Sequence, residues 1–220
     1  MKSVGLVVHA RINSTRCKNK MLRRFSNSSL FEIQLKKLSI LKKKSNFNIY
    51  CALGEKKLIN LAKQYKNLNI IYRDKKSVNS DRIDYVYNYL SHIPEDYICF
   101  INSCAPLLKI DTLKNAVNFF QSSNVKTLTS VIEKKTWYFD YLKKPINDNS
   151  SGNTKDLKPI YECTHNFHIF NKNFFLQHKK YWSNKRNDPF LYKVNNIESL
   201  DIDTEEEFKT VENVYKAITN

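Results

Sequence analysis

Short, continuous apolar runs alternate along this chain with stretches in which apolar residues return every three or four positions. Val4 to His9, Asn48 to Leu53, Asn69 to Tyr72, Tyr97 to Asn102, Thr127 to Ile132 and Asn166 to Phe170 have strand length. Between them Leu30, Ile33, Leu35, Leu38 and Leu41 recur at helical spacing, with Asn27, Ser28 and Ser29 as cap candidates ahead of them. Further helices are predicted over Lys56 to Tyr65, after a cap at Asp81 with Ile83, Val86 and Leu90 on one face, and from Asp111 to Phe120. A last amphipathic helix carries Phe208, Val211, Val214 and Tyr215. Strands that alternate with helices in this way predict an α/β fold with a mostly parallel central sheet covered on both faces.

The alternation fails over residues 133–160, which hold Pro145, Gly152, Pro159 and the polar run from Asn147 to Asn153. That segment is expected to leave the sheet as an inserted arm or lid within one domain spanning residues 1–220. It also carries the aromatic cluster Trp137, Tyr138, Phe139 and Tyr141, and an exposed apolar patch of that kind marks an interface. No internal repeat is visible.

Composition narrows the functional classes. Against 37 Lys and Arg stand 21 Asp and Glu, a formal charge of +16. Such a balance attracts polyanions, but lysine is spread along the whole chain and no basic stretch has the aromatic interleaving of an RNA-binding motif. Small anionic ligands are therefore expected, with no nucleic-acid partner. Five scattered cysteines without a C-x-x-C pair suggest neither a disulfide framework nor a zinc knuckle and suit a reducing cytoplasm. The opening residues lack the extended apolar core of a secretory signal, and no apolar run reaches membrane-spanning length, so no membrane insertion is expected.

Two segments carry candidate chemistry. The loop after the first strand, Ala10 to Lys20, gathers Arg11, Arg16, Lys18 and Lys20 with the hydroxyls of Ser14 and Thr15. At the carboxyl edge of an open α/β sheet, such a loop is placed to grip phosphates, bidentately through Arg and as a point charge through Lys. It has no glycine, but Asn13 and Asn19 are of the residue type that most readily takes positive φ. Near the other end, Asp201 and Asp203 alternate on an extended chain and so project to one side. Paired hard oxygens there suit Mg²⁺ beside substrate phosphates. Two plainer readings stand beside these: a solvated basic turn, and a cap for the helix beginning near Glu205 built from Asp203 and Thr204.

Four segments taken in order resemble the acylneuraminate cytidylyltransferases, the CMP-nonulosonate (CMP-sugar) synthetases. Ala10 to Lys20 is similar to that family's A-R-x-G-S-[KT]-[GR]-x-x-x-K motif, with Asn13 in the glycine place. Asn102 to Leu107 is similar to N-x-[TS]-[SC]-P-L, Asn153 to Glu162 to [RN]-[ST]-Q-D-L-x-P-x-Y-x, and Glu198 to Phe208 to I-[DE]-[AS]-I-D-I-D-T-x-E-D-F. The resemblance covers nearly the whole chain. It implies a nucleotidyltransferase (GT-A or Rossmann-like) domain with a small dimerisation arm, acting as a homodimer in surface-glycan biosynthesis.

The implied reaction is Mg²⁺-dependent transfer of CMP from CTP to a 2-keto sugar acid of the sialic, legionaminic or pseudaminic type, with release of pyrophosphate. By resemblance Arg11, Lys20 and Asp203 are catalytic, and Asp201 with Asp203 holds the metal. Ala10, Arg11, Asn13, Ser14, Arg16, Lys20, Ser80, Asn102 and Ser103 bind nucleotide, and Asp156, Tyr161, Glu162 and His165 bind the sugar. Lys155 stands where that family has glutamine, and Cys163 to Phe167 lacks its glycines, so an octulosonate, phosphonate or phosphate acceptor remains open. So does a nucleotide-binding protein of the same fold without catalysis. No histidine pair has metal-ligand spacing, and Cys104 is expected to pack rather than to ligate Mg²⁺.

Overall fold

The computed structural model describes residues 2–147 and 152–219. Its elements follow in chain order. The first half comprises β1 (Val4–His9), β2 (Arg24–Phe25), β3 (Ser28–Ser29), α1 (Leu30–Lys43), β4 (Asn48–Leu53), α2 (Lys56–Ala62), β5 (Asn69–Tyr72), α3 (Lys75–Asn79) and α4 (Ile83–Val86). The second comprises β6 (Tyr97–Ile101), α5 (Ile110–Ser122), β7 (Leu128–Lys134), β8 (Ile160–Asn171), α6 (Lys172–His178), β9 (Phe190–Lys193) and α7 (Glu205–Thr219).

The central sheet has seven strands in the order β5-β4-β1-β6-β8-β7-β9. β1 pairs in parallel with both β4 and β6, β4 with β5, and β7 with β9; β8 alone runs against its neighbours. The mostly parallel α/β sheet anticipated from the sequence is therefore present. A parallel sheet covered on both faces needs strands apolar on both sides, and β1 meets this: Leu6 and Val8 enter one core layer, while Val7 enters the other. The first layer packs α1, α5 and α7 against the sheet through Leu38, Phe120 and Phe208. The second is aromatic, with Tyr89, Phe170 and Phe175 around Val7 and Ile98. Each such buried side chain contributes about 1.5–3 kcal/mol of transfer free energy.

Local signals account for most boundaries. Ser29 caps α1 by accepting a hydrogen bond from Glu32 N, and α5 buries Leu113, Ala116, Val117 and Phe120, a spacing of three and four. Asp81 does not cap a helix. Instead Asp74 caps the short α3 by accepting from Ser77 N at 2.6 Å, and Asp81 lies outside, 3.4 Å from Arg11. The single helix predicted after Asp81 is broken into α4 and a 3₁₀ turn over Asn88–His92, and α3 ahead of it was not predicted.

The largest departure is β8, twelve residues long where the pattern gave five. Its second half pairs with β6, from Ile101 opposite Phe167 to Tyr97 opposite Asn171. Its first half runs on beyond Ile101, pairing only with β7 from Val131 opposite Cys163 to Lys134 opposite Ile160. The 133–160 excursion begins in this overhang; its positions 148–151 lie outside the described residues. Within it Phe139 bridges Pro145, and Asp140 Oδ1 accepts from Leu142 N and Lys144 N.

Candidate active site

The basic loop leaves the carboxyl end of β1 with Ala10 buried at its root. Ile12 N donates to Glu55 Oε1 at 2.8 Å, and Ser14 N turns back to Ile12 O at 2.9 Å. Asn19 takes φ +54°, and its carbonyl accepts from Leu22 N and Arg23 N. The conformation that glycine usually supplies thus falls to Asn19 and not to Asn13. Arg11, Asn13 and Arg16 are exposed, whereas Lys20 is buried.

Lys20 points at the aspartate segment. Its Nζ donates to Ile202 O and lies 3.0 Å from Asp203 Oδ1, while Arg16 Nη2 lies 2.8 Å from Asp203 Oδ2. Ile202 is fully buried, so the flanking aspartates emerge on the opposite side of the extended chain. Burial disfavours the Lys20 ammonium, but the neighbouring Cys104 sulfur and Asp203 carboxylate outweigh it and raise the pKa. Burial also raises Cys104, leaving it a neutral thiol near pH 7, so Asp203 is the working counter-ion. Burial acts against the Asp203 carboxylate as well, yet hydrogen bonds from Lys20 and Arg16 hold its pKa below the usual range. Asp201 shifts the other way, raised first by burial and then by the charge of Asp203.

The cap of α7 is separate from this pair. Glu207 Oε2 accepts from Thr204 N and Asp203 N at 2.8 Å each, and Thr204 Oγ1 accepts from Glu207 N at 3.2 Å. This reciprocal capping box assigns the cap to Thr204 and leaves both aspartate side chains for other work.

The end of β6 joins the site. Asn102 Nδ2 donates to Asp201 Oδ2 at 2.9 Å, and Asn102 Oδ1 accepts from Cys104 N at 2.9 Å. Ser103 is buried beside it. From β8, Asn166 Nδ2 donates to Glu198 O, and Glu198 in turn accepts from Lys109 N. The segment leading to the aspartates is thereby tied to two strands. These links and the buried Asn166 were not visible in the sequence, where only the alternation of carboxylates gave a signal.

Arg11, at the other end of the basic loop, opens onto a cleft of about 330 Å³ lined by His9, Arg73, Ser80 and Tyr87. Arg73 is buried, its Nε donating to Ser77 Oγ and Nη2 to Ser77 O. It was missed in the sequence because a lone Arg in a polar stretch has no periodicity. His9 is walled by Tyr89 and Phe100, and burial, followed by the charges of Arg73 and Arg11, pushes its pKa down to about 3.

The remaining sugar-site expectations fall on the β8 wall. Glu162 shares a groove with Asp201 and Thr204, and its carboxylate is 4.0 Å from Lys134. Tyr161, one residue earlier, faces a different groove beside Lys126 and Phe190. Asp156 is exposed in the short turn Thr154–Asp156. His165 is exposed near the aspartates, whose charges help to raise its pKa after the larger effect of its hydrogen bond to Cys163. The structure therefore brings Arg16, Lys20, Asn102, Asp201 and Asp203 together and places Arg11 and Ser80 in the adjoining cleft. It does not bring Tyr161 or Asp156 to them.

A parallel sheet with a cationic loop beyond its first strand, facing two carboxylates beyond its middle, defines the α/β nucleotidyltransferase class. A family model described as Cytidylyltransferase matches residues 6–218, and the chain belongs to that family. It is 25% identical over 137 residues to a 3-deoxy-manno-octulosonate cytidylyltransferase of Francisella tularensis subsp. tularensis (strain FSC 198). That alignment takes in 62% of this chain and 53% of the relative, so the chain spans about half the length of the curated relatives it matches. Solved structures share the fold, among them two that match nearly the whole of this chain. One is a CMP:2-keto-3-deoxy-manno-octonic acid synthetase complexed with CTP, at TM-score 0.67 and 8% identity over 99% of this chain and 100% of that one. The other is a 4-diphosphocytidyl-2C-methyl-D-erythritol synthase from Anaerococcus prevotii DSM 20548, at TM-score 0.65 and 14% identity over 98% and 99%. No described helix is long and apolar enough to cross a membrane.

Proposed function

We propose that the chain transfers CMP from CTP to a 2-keto sugar acid and releases pyrophosphate. One observation carries this reading: a single loop sets Arg11 in the cleft beside Arg73 and Ser80 while placing Arg16 and Lys20 on Asp203. A cleft of that volume takes a pyrimidine nucleoside, and the loop then leads its triphosphate to the carboxylates. The Arg16 pair is largely exposed, and such pairs hold only about 0–1 kcal/mol. Arg16 is thus free to exchange Asp203 for a phosphate oxygen, whereas buried Lys20 stays fixed.

The donor set fits Mg²⁺. Asn102 holds one Asp201 oxygen and leaves the other for a cation, and both carboxylates are hard ligands. The raised Asp201 pKa, caused by burial and by Asp203, is the mark of a site that a divalent ion would relieve. Asp201 and Asp203 would hold the ion, which would supply charge neutralisation at the phosphates. In the reaction the acceptor hydroxyl oxygen bonds to the α-phosphorus as its proton passes to water, the bond from that phosphorus to the bridging oxygen breaks, and pyrophosphate carries away the negative charge. Arg16 and Lys20 lie where that charge develops, so their part is electrostatic.

The acceptor approaches from the β8 wall, where Glu162 adjoins Asp201. The likeness to 3-deoxy-manno-octulosonate cytidylyltransferases favours an octulosonate beside the sialic, legionaminic and pseudaminic acids suggested by motif. All are 2-keto acids with a reactive anomeric hydroxyl. Phe139, Tyr141, Leu142 and Ile146 are exposed together on the arm, which supports a homodimer joined there. The test is pyrophosphate release from CTP and Mg²⁺ across a panel of these acids, beside UTP, ATP and Asp203→Asn. CTP-specific release with one acid, lost in the variant, supports the reading. CTP-dependent thermal stabilisation without turnover on any acid would replace it with a nucleotide-binding role.

A further inference from the structure

Cys163, His165 and His168 converge although regular strand geometry would keep them apart. In a strand, residues 163 and 165 share one face and 168 the other. Here β7 and β8 lose register between Thr129, opposite His168, and Val131, opposite Cys163. Ser130 alone faces the four β8 residues between them. Its Oγ accepts from Thr164 Oγ1 at 2.8 Å and from Phe167 N at 3.2 Å, and donates to Phe167 O at 3.2 Å. His165 sits at the crest of this bulge with φ +53°, a conformation disfavoured for a residue with a Cβ. A bulge that re-aims side chains beside a functional site is a built feature.

The convergence has the dimensions of a metal centre. His165 Nδ1 lies 3.2 Å from His168 Nε2 and 3.9 Å from Cys163 Sγ, and the potential ligand atoms of the three residues all lie within 4.8 Å of one another. Tetrahedral Zn²⁺ with its usual bond lengths requires separations of about 3.3 Å between two imidazole nitrogens and about 3.6 Å between nitrogen and sulfur. The two pairs made by His165 need shifts of a few tenths of an ångström, and Cys163 and His168, within 4.8 Å of each other, close by about 1 Å through side-chain rotation. A supporting shell is also in place: Thr129 Oγ1 lies 2.8 Å from His168 Nδ1 and 3.3 Å from Cys163 Sγ. A ligating histidine ordinarily has its second nitrogen held in this way. Tyr181 stacks on the His168 ring at 4.8 Å and fixes its plane.

We propose that Cys163, His165 and His168 bind a borderline divalent transition ion of the zinc type, with a fourth position open to water or to an oxygen ligand. Thiolate and imidazole select such an ion over Mg²⁺, while Asp201 and Asp203 offer only hard oxygen. The chain then carries two cation sites of different chemical taste on one edge of its sheet. The inference stands without the proposed CMP transfer, since it rests on the β8 bulge alone.

The test is a titration of the metal-stripped full chain with Co²⁺ under reducing conditions and excess Mg²⁺, read by absorption spectroscopy. Expected are a thiolate-to-cobalt charge-transfer band and intense tetrahedral d–d bands that saturate at one equivalent and vanish when Zn²⁺ is added. Cys163→Ser should abolish the charge-transfer band. His165→Gln, at an exposed position, should weaken binding at least tenfold, and Asp203→Asn should leave the spectrum unchanged. A weak octahedral spectrum, or a charge-transfer band that survives in both Cys163→Ser and His165→Gln, overturns the proposal and leaves a hydrogen-bonded His165–His168–Thr129 chain. If Cys163→Ser fails to fold, the His165→Gln titration decides alone.

Discussion

Lys20 and Asp203, 183 positions apart in the chain, lie 3.0 Å from each other and join the first loop of the sheet to its last carboxylate. Because Lys20 is buried and also donates to Ile202 O, the contact fixes where the carboxylate stands as well as its charge. Asp203→Asn keeps the shape and removes the charge. Pyrophosphate release is expected to fall on the order of 10²-fold or more, the scale of losing one preorganised electrostatic group, with the fold retained by circular dichroism. A variant with near-normal turnover would remove Asp203 from the catalytic set.

Asn102 acts on Asp201 through one hydrogen bond of 2.9 Å. Asn102→Ala frees that carboxylate to rotate, and loss of a partner that orients a ligand costs about 10- to 100-fold in metal affinity. The expected outcome is a higher Mg²⁺ concentration for half-maximal activity, with a far smaller change at saturating Mg²⁺. An unchanged Mg²⁺ requirement would show that Asp201 is not a ligand.

Thr204 belongs to the capping box and not to the carboxylate pair. Thr204→Ala should cost about 1 kcal/mol of stability, about 2–4 °C in Tm for a chain of this size. Activity at a temperature where the variant is folded should stay within a few fold of the parent. Calorimetry and a turnover assay together separate the cap from the chemistry.

Gly54 follows β4 with no room for a side chain. A Cβ there would meet Val78 Cγ2 at 2.3 Å and the Arg73 carbonyl at 2.9 Å. Gly54→Ala is expected to destabilise by about 1–3 kcal/mol through overpacking. Arg73 floors the cleft beside Arg11, so CTP binding should weaken in the same variant, as measured by calorimetric titration.

His9 gives a pH dependence of defined sign. Its folded pKa is pushed down to about 3 by burial, below the ordinary value of 6.5. Above that ordinary value neither state is protonated and stability is unaffected. Below it the unfolded chain takes up a proton that the folded chain refuses, so stability falls by about 1.4 kcal/mol per pH unit until about pH 3. His9→Gln should flatten the slope of unfolding free energy against pH by about that amount. An equal slope in both proteins would place the acid sensitivity elsewhere.

What the sequence disclosed follows from the range of the interactions involved. β1, β4 and β5 were legible because apolar runs between turn residues report burial directly, and α1 because Ser29 and the Leu30 to Leu41 spacing are local. The first half of β8, Ile160 to His165, was hidden. It overhangs the sheet, pairs with one neighbour only, and mixes exposed polar residues with a bulge. In the site, the Arg16 and Lys20 loop and the Asp201, Asp203 alternation could be read as patterns. Arg73, Asn166 and the convergence of Cys163 with His168 could not, because each depends on a partner distant in the chain or on a break in strand register.

The division of β8 has an evolutionary consequence. Its second half is clamped between β6 and β7 and shares the frame that holds Asn102 and Asp201, so substitutions there disturb the setting of those two residues. Its first half has a neighbour on one side only, β7, and lies beyond the end of β6. The fold thus separates what must stay constant from what is free to diverge. Under the proposed function, acceptor choice falls to the half of β8 held from one side, and a lineage could change it there while the loop from Ala10 to Lys20 stays constant.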